Sequence, residues 1–143
     1  MMHIDTIMTT DLITILPTES LETARTLMHD NKIHHLPVTE EDNKLVGLVT
    51  LTNVLAATDS ILRDPDNRLH ARDINISDIM VTDVATVDEH ASMRQAAMFL
   101  EKHRIGCLPV TQAGKLQGII TDTDFVGVAI NLLEQIEETD FDD

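Results

Sequence analysis

Aromatic residues are almost absent from this chain of 143 residues, which has no Trp, no Tyr and three Phe. Hydrophobic residues nevertheless make up 43% of the sequence, which is enough to bury a core. We therefore expect an aliphatic core, built from Ile, Leu, Val, Met and Ala. The length fits one compact domain.

Cysteine is equally scarce, and the single Cys107 cannot form an internal disulfide. Two roles remain open for it, a redox sensor or a small buried hydrophobe, and the second is favoured. The sequence shows no signal peptide and no apolar run of about 18 residues, the length that spans a bilayer. These absences predict a soluble, reduced, cytoplasmic protein with no membrane partner.

Positive charge is the third shortage, because 10 Lys and Arg face 25 Asp and Glu, for a net charge of -15. Such a surface repels a phosphate backbone, which argues against direct binding of nucleic acid. A small nucleotide stays possible, since backbone N–H groups and one or two cations can hold its phosphates. The acidity indicates either a solvated surface with a frayed tail or a host at high salt.

What the sequence has in abundance is self-similarity. One set of residues recurs 72 positions later, and the match resumes at a spacing of 71 after a one-residue deletion in a turn. The first set includes Ile7-Met8, Thr10-Asp11, Thr14, Ser20, Ala24, Ile33 and Leu36–Thr39; the second includes Lys44-Leu45, Gly47, Thr50 and Thr52. A tandem repeat decides the architecture. We predict repeats at 1–62 and 76–138, a connector at 63–75 and an acidic tail at 139–143.

Each repeat has the same predicted course of strand, helix, hairpin and helix. The β-prone stretches Ile13–Leu16 and Ala85–Val87 open the two repeats, and amphipathic helices follow, the first capped by Thr18. Apolar runs on either side of a polar turn predict the hairpins. The closing helices are predicted at Thr52–Leu62 and from Asp122 to about Glu138.

Two motifs in register carry a family resemblance. Each hairpin closes on Gly-apolar-apolar-Thr-x-x-Asp or Asn, at 47–53 and 118–124. Near its start each repeat has Ile-Met-x-x-Asp, at 7–11 and 79–83. This pattern resembles the CBS domain, named after cystathionine β-synthase, over nearly the whole chain. The resemblance implies a CBS pair, or Bateman module. Its mixed α/β (α+β) fold packs two β-α-β-β-α repeats sheet to sheet with quasi-twofold symmetry, and such modules commonly form dimers.

The closing motif also has a chemical meaning of its own. Thr50 and Thr121 are placed where a strand runs into a helix, so their hydroxyls and the helix N–H groups can face an anion. Asn53 and Asp124 follow one helical turn later on the same face. A carboxylate can accept hydrogen bonds from both hydroxyls of a ribose. Residues of these types at a helix start are usually caps, but their register within the repeat favours ligand binding.

The resemblance also implies a ligand and where it binds. Family members commonly bind AMP, ADP, ATP or S-adenosyl compounds in clefts that take a Thr and an acid from one repeat and a wall from the other. The implied Asp124 cleft is formed by Thr121, Asp124, Leu12, Ile13, Ile33, His34, His35, Leu36 and Pro37. The implied Asn53 cleft is formed by Thr50, Asn53, Val84, Ala85, Ile105, Gly106, Cys107, Leu108 and Pro109.

The two clefts are predicted to be unequal. Asp124 offers a ribose two charged acceptors and Asn53 one neutral acceptor, a difference on the order of tenfold in affinity. In the family a basic residue before the Pro often reaches the phosphates of its own repeat's cleft. That place is held by His34 or His35 in the first repeat but by Gly106 and Cys107 in the second. Phosphates in the Asp124 cleft would therefore need a cation from Arg104, Arg63, Arg68 or Arg72.

No metal site or catalytic residue is predicted. His34 and His35 are neighbours on a strand and point to opposite faces, without a further ligand cluster. Asp122 and Asp124 are more typical of a helix cap than of an Mg²⁺ site. No nucleophile, P-loop or paired carboxylate stands out, so an enzyme is disfavoured.

We therefore predict a regulatory module that senses an adenosyl ligand and transmits the bound state to an unknown partner protein. The alternative is a structural dimerisation or scaffold module with empty clefts. We also predict a homodimer, because the second helix of each repeat carries more apolar residues than the pair needs internally: Leu55, Ile61, Val126, Ile130 and Leu133.

Overall fold

The computed structural model describes residues 2–66 and 68–141. The helices are α1 Leu21–Asn31, α2 Leu51–Leu62, α3 Met93–His103 and α4 Asp122–Phe141. The strands are β1 His35–Thr39, β2 Leu45–Thr50, β3 Val87–Asp88, β4 Cys107–Gln112 and β5 Lys115–Thr121. Short 3₁₀ turns occupy Ile4–Thr6, Ala71–Asp73 and Ile76–Asp78. Asp142 and Asp143, part of the predicted tail, lie outside the described residues.

The two repeats fold alike and confirm the predicted mixed fold. In the first, β1 pairs with β2 in an antiparallel hairpin. In the second, β4 and β5 form the same hairpin, and β3 adds a short parallel pairing to β4. Each hairpin sheet is covered by helices whose inward residues are buried: Leu21, Ala24 and Met28 on α1, and Met93, Ala96 and Leu100 on α3. Each repeat thus has its own aliphatic core.

The opening of the first repeat differs from the prediction. Ile13–Leu16 is not a strand; Ile15 alone pairs there, through backbone bonds to Pro37 and Thr39 of 3.1 and 3.0 Å. Pro17, which has no N–H, ends that pairing. The predicted cap at Thr18 is also wrong, because a turn fills that stretch and Ser20 caps α1 by accepting from the Thr23 N–H at 3.2 Å.

The final helix α4 is longer than predicted and continues past Glu138 to Phe141. It has 20 residues, against 12 in its counterpart α2. In residues 2–66 and 68–141, no helix is both long enough and apolar enough to cross a membrane.

The leading segment of each repeat packs into the core of the other repeat. Ile4 is fully buried in the core of the second repeat, and its N–H donates to Ala91 O at 3.0 Å. Ile76 is fully buried in the core of the first repeat, and its N–H donates to Glu19 O at 2.8 Å. The repeats therefore exchange their leading segments, which locks the quasi-twofold pair together.

The exchanged segments, or crossing segments, then run across the hairpin of the other repeat. Thr9 and Ile119 exchange two backbone hydrogen bonds of 2.9 and 3.0 Å, and Val81 and Leu48 exchange two of 2.9 Å. Beside each of these pairings a glycine of the hairpin leaves room for a methionine of the crossing segment. Gly118 faces Met8 in this way, and Gly47 faces Met80. The glycine and the methionine of the two repeated motifs are thus partners across the interface between the repeats.

These glycine contacts give a testable prediction. A Cβ on Gly118 would lie 2.7 Å from Met8 Sδ and 3.0 Å from Thr9 O, so Gly118→Ala must shift the Met8 side chain and crowd the crossing backbone. We expect a loss of about 1–3 kcal/mol in the free energy of unfolding, measured by urea denaturation. Gly127→Ala is the control, since nothing lies within 4 Å of its Cβ position on α4 and alanine favours the helix. Equal stability of the two variants would contradict this packing.

Candidate functional site

Two cavities lie between the repeats, and the larger matches the predicted Asp124 cleft. It has a volume of about 370 Å³. The structure brings seven of the predicted residues to its wall: Leu12, Ile13, Ile33, His34, His35 and Pro37 from the first repeat, and Thr121 from the second. Asp124 is not among the residues that line the cavity, but its side chain is hydrogen-bonded to the lining residue Thr121. Leu36 is fully buried in the core.

The second cavity matches the predicted Asn53 cleft and has a volume of about 280 Å³. Its wall contains the predicted Thr50, Val84, Ala85, Ile105, Gly106 and Cys107. Asn53 is bonded to Thr50. Leu108 and Pro109 are fully buried and do not line this cavity. Both clefts thus combine a threonine at a helix start with an apolar wall from the other repeat.

Sequence reasoning missed an acid at the same repeat position in each cleft. Asp11 lines the first cavity and Asp83, its counterpart in the repeat, lines the second. The crossing segments place them there, since Thr9 and Val81 line the same two cavities. The repeated Ile-Met-x-x-Asp motif held the signal, because an acid at matched positions of both repeats needs a shared reason. Four further residues of the first cavity were not predicted: Lys32, Ile119, Asp122 and Thr123.

At the start of α2, Thr50 and Asn53 form a closed hydrogen-bonded pair. The Thr50 side chain accepts from the Asn53 N–H at 3.2 Å, and Asn53 Oδ1 accepts from the N–H and the hydroxyl of Thr50, both at 2.9 Å. This is a capping box, which stabilises the helix start. The only acceptor oxygen of the Asn53 side chain is engaged in it, so the amide group that remains is a donor.

At the start of α4, Thr121 and Asp124 form the same kind of pair, but the group left without a hydrogen bond is different. Asp124 Oδ2 accepts from the Thr121 N–H at 2.8 Å and from its hydroxyl at 3.3 Å. Within the described part of the chain, Oδ1 has no hydrogen-bond donor, so a charged acceptor is left over. Both threonines are therefore helix caps. The two clefts differ in the hydrogen-bonding group that remains on the residue three positions later, an amide donor on Asn53 and a carboxylate acceptor on Asp124.

His35 belongs to both clefts. Its side chain lines the two cavities, as does Gly106, and its imidazole comes within 3.9 Å of the place where a Gly106 Cβ would stand. Burial lowers the pKa of His35, and His34 adds to the lowering, whereas Asp122 opposes it. His35 is therefore neutral at pH 7 and supplies one donor and one acceptor at the boundary between the clefts.

Cations that could meet a phosphate are few near the Asp124 cleft. Lys32 lines it, whereas Arg104 lines a neighbouring cavity between α3 and α4. Arg63 is paired with Asp59 at 3.1 Å, and Arg68 lies 3.9 Å from Asp66; both arginines are highly exposed. The arginines considered from the sequence do not line the Asp124 cleft in this structure.

Comparison with known proteins gives the family. The family model of the CBS domain matches residues 4–60 and 76–131. The chain belongs to the CBS-domain family. The crystal structure of a Vibrio cholerae protein named for acetoin utilization (AcuB) is similar, with 39% identity, a TM-score of 0.82 and coverage of 96% of this chain and 97% of that one. This CBS pair therefore has the fold that the resemblance implied.

Two further relatives bear on function. CBSX2, a CBS-pair protein of Arabidopsis thaliana, was crystallised with AMP; it is 27% identical, with a TM-score of 0.79 and coverage of 92% of this chain and 98% of that one. Inosine-5'-monophosphate dehydrogenase of Thermoplasma acidophilum is 37% identical over 123 residues. Those residues are 85% of this chain, which spans only 22% of the enzyme's length.

The thiol of Cys107 gives a prediction for this site. The side chain is buried, and burial raises the pKa of Cys107 to about 12, with the carboxylates of Asp122 and Asp124 acting in the same direction. Since an ordinary thiol has a pKa of about 8.5, we expect Ellman's reagent at pH 8 to react on the order of a thousandfold more slowly with the native chain than in urea. Equal rates would show that Cys107 is open and ionisable.

Proposed function

We propose that this CBS pair is a regulatory module that binds an adenine nucleotide (AMP, ADP or ATP) or an S-adenosyl compound in its clefts and passes the bound state to a partner protein. The observation that carries the proposal is the pair of matched clefts, each joining a capped helix start of one repeat to the apolar wall of the other. The AMP complex of CBSX2, a protein of similar fold, supports it. We place the module in the cytoplasm, where Cys107 stays reduced.

The Asp124 cleft suits the parts of an adenosine. Leu12, Ile13 and Ile33 offer apolar surface to the base. The free oxygen of Asp124 is the acceptor we assign to the ribose hydroxyls, in a charge-assisted hydrogen bond. The Asn53 cleft has a smaller volume and lacks that acceptor.

Transmission follows from the position of the ligand. A molecule in either cleft touches both repeats, so it stabilises one packing of the repeats over others. A ligand shifts such an equilibrium only by its difference in affinity for the two states. The crossing segments join the walls of both clefts to the hairpin of the other repeat. We expect these segments to move when a ligand binds.

A structural dimerisation or scaffold module with empty clefts is the second candidate, and exposed apolar residues favour it. Leu55 on α2 is 59% exposed, and Val126, Ile130 and Leu133 on α4 are 50–56% exposed. Ile61 instead packs against the first core. The dimer is compatible with both candidates. Ligand binding separates them, because only the sensor requires it.

Dimerisation is tested by light scattering at micromolar concentration. We propose an isologous homodimer through α2 and α4, with twice the chain's 15.9 kDa. The double variant Ile130→Asp, Leu133→Asp places two charges in that surface and is expected to be monomeric. Met98→Asp is the control, since Met98 is 57% exposed on α3, and it is expected to remain a dimer. A monomeric wild type would contradict the proposal.

The ligand is tested by isothermal titration calorimetry with adenosine, which has the base and the ribose but no phosphate. We expect two unequal steps, the tighter one in the Asp124 cleft by roughly tenfold, because a bond to a charged acceptor is stronger. Asp124→Asn should remove this difference. Asn53→Asp, the matched exchange, should strengthen the weaker step.

Two outcomes would count against this account. Loss of the tighter step in Asn53→Ala, with Asp124→Ala unaffected, would show that the clefts are assigned the wrong way round. Absence of heat with adenosine, AMP, ATP and S-adenosylmethionine alike would leave the scaffold as the function.

A further inference from the structure

The start of helix α4 provides its own anions. Asp122 Oδ1 accepts from the Thr123 N–H at 2.9 Å, and Asp124 Oδ2 accepts from the Thr121 N–H at 2.8 Å. The Asp124 N–H donates to Thr121 Oγ1 at 3.4 Å, and the Asp122 N–H donates to Gly106 O at 3.3 Å. Backbone N–H groups at a helix start are the usual binding place for a phosphate. Here the first of them are already engaged.

Helix α2 lacks this arrangement. Its first turn contains no acid, and Leu51 stands at the position that Asp122 holds in the second repeat. The side chain that completes its capping box is the neutral Asn53. The two clefts therefore differ in charge at the place where a phosphate would approach the helix.

The net charge around the Asp124 cleft is negative. Asp11 and Asp122 line the cavity, and Asp124 is hydrogen-bonded to the lining residue Thr121, whereas Lys32 is the cation among the described lining residues. His35 adds no charge, because burial lowers its pKa. The nearby carboxylates repel a phosphate that enters this cavity. Solvent weakens this repulsion, because Asp122 is exposed.

We propose that Asp122 is a specificity-determining residue that excludes a negatively charged 5′ group from the Asp124 cleft. This cleft then selects adenosine compounds whose 5′ substituent is uncharged or cationic, such as a nucleoside, a thioether nucleoside or a sulfonium. A 5′-phosphate meets fewer carboxylates in the Asn53 cleft, where Asp83 lines the cavity but the helix start carries no acid. The inference rests on the proposed function, since it specifies the ligand of the same site.

The test compares adenosine with AMP, which differ only in the phosphate, by methyl NMR titration. Methyl signals of Leu12 and Ile13 report on the Asp124 cleft, and those of Val84 and Ala85 report on the Asn53 cleft. In the wild type we expect adenosine to bind the Asp124 cleft more tightly than AMP does. Asp122→Asn, which keeps an acceptor for Thr123, should raise the AMP affinity there, relative to that of adenosine, by about threefold to tenfold at low salt.

Asp78→Asn is the matched control, because it removes the same charge from an exposed acid that lines neither cavity. It should leave the preference for adenosine intact. Raising the salt concentration should reduce the preference more in the wild type than in Asp122→Asn, which retains Asp11 and Asp124. If Asp122→Asn does not fold, Asp122→Ser supplies a neutral side chain that also suits a helix start.

The outcomes separate the two proposals. Binding of adenosine and AMP with a ratio that Asp122→Asn does not change would overturn the specificity role and leave the proposed function in place. A wild type that prefers AMP in the Asp124 cleft would overturn it as well. No methyl shift with either compound, nor with S-adenosylmethionine, would overturn both.

Discussion

The exchange of leading segments between the repeats is the constraint on which the rest of the structure depends. Ile4 and Ile76 anchor each segment in the other repeat's core, and the backbone pairs of Thr9 with Ile119 and of Val81 with Leu48 fix its path. The pairings bring the hairpins together through contacts in which a side chain larger than glycine has no room. A chain built in this way cannot separate its repeats without opening both cores.

The clefts are a consequence of that exchange. A segment that crosses to the other hairpin passes the start of the other repeat's helix, which brings an apolar wall and a capped threonine to the same cavity. Quasi-twofold symmetry makes two such cavities, and His35 and Gly106 form a wall common to both. The side chains do not follow this symmetry, because Asp122 and Asp124 in the second repeat occupy the positions of Leu51 and Asn53 in the first. One scaffold thus offers two chemically different sites.

The repeat and its motifs predicted most of this arrangement. Apolar runs and turn residues predicted the hairpins, and positions matched between the repeats identified the threonines. The wall residues of both clefts were implied by the resemblance to the CBS domain. Three features escaped because they depend on tertiary contact. Strand pairing near Ile15 is limited to one residue in the folded chain. The exchange of segments cannot be seen in the repeat pattern, because the pattern assigns each motif to its own repeat. The state of the Asp124 oxygens depends on hydrogen bonds that only the folded helix start creates.

The central claim is that the clefts between the repeats bind an adenosine compound. The most direct measurement is a crystal structure of the protein grown with adenosine at saturating concentration. The account predicts density for the nucleoside in the Asp124 cleft, with the base against Leu12 and Ile13 and a ribose hydroxyl within hydrogen-bonding distance of Asp124 Oδ1. Density for adenosine elsewhere on the chain, with both clefts empty, would contradict it.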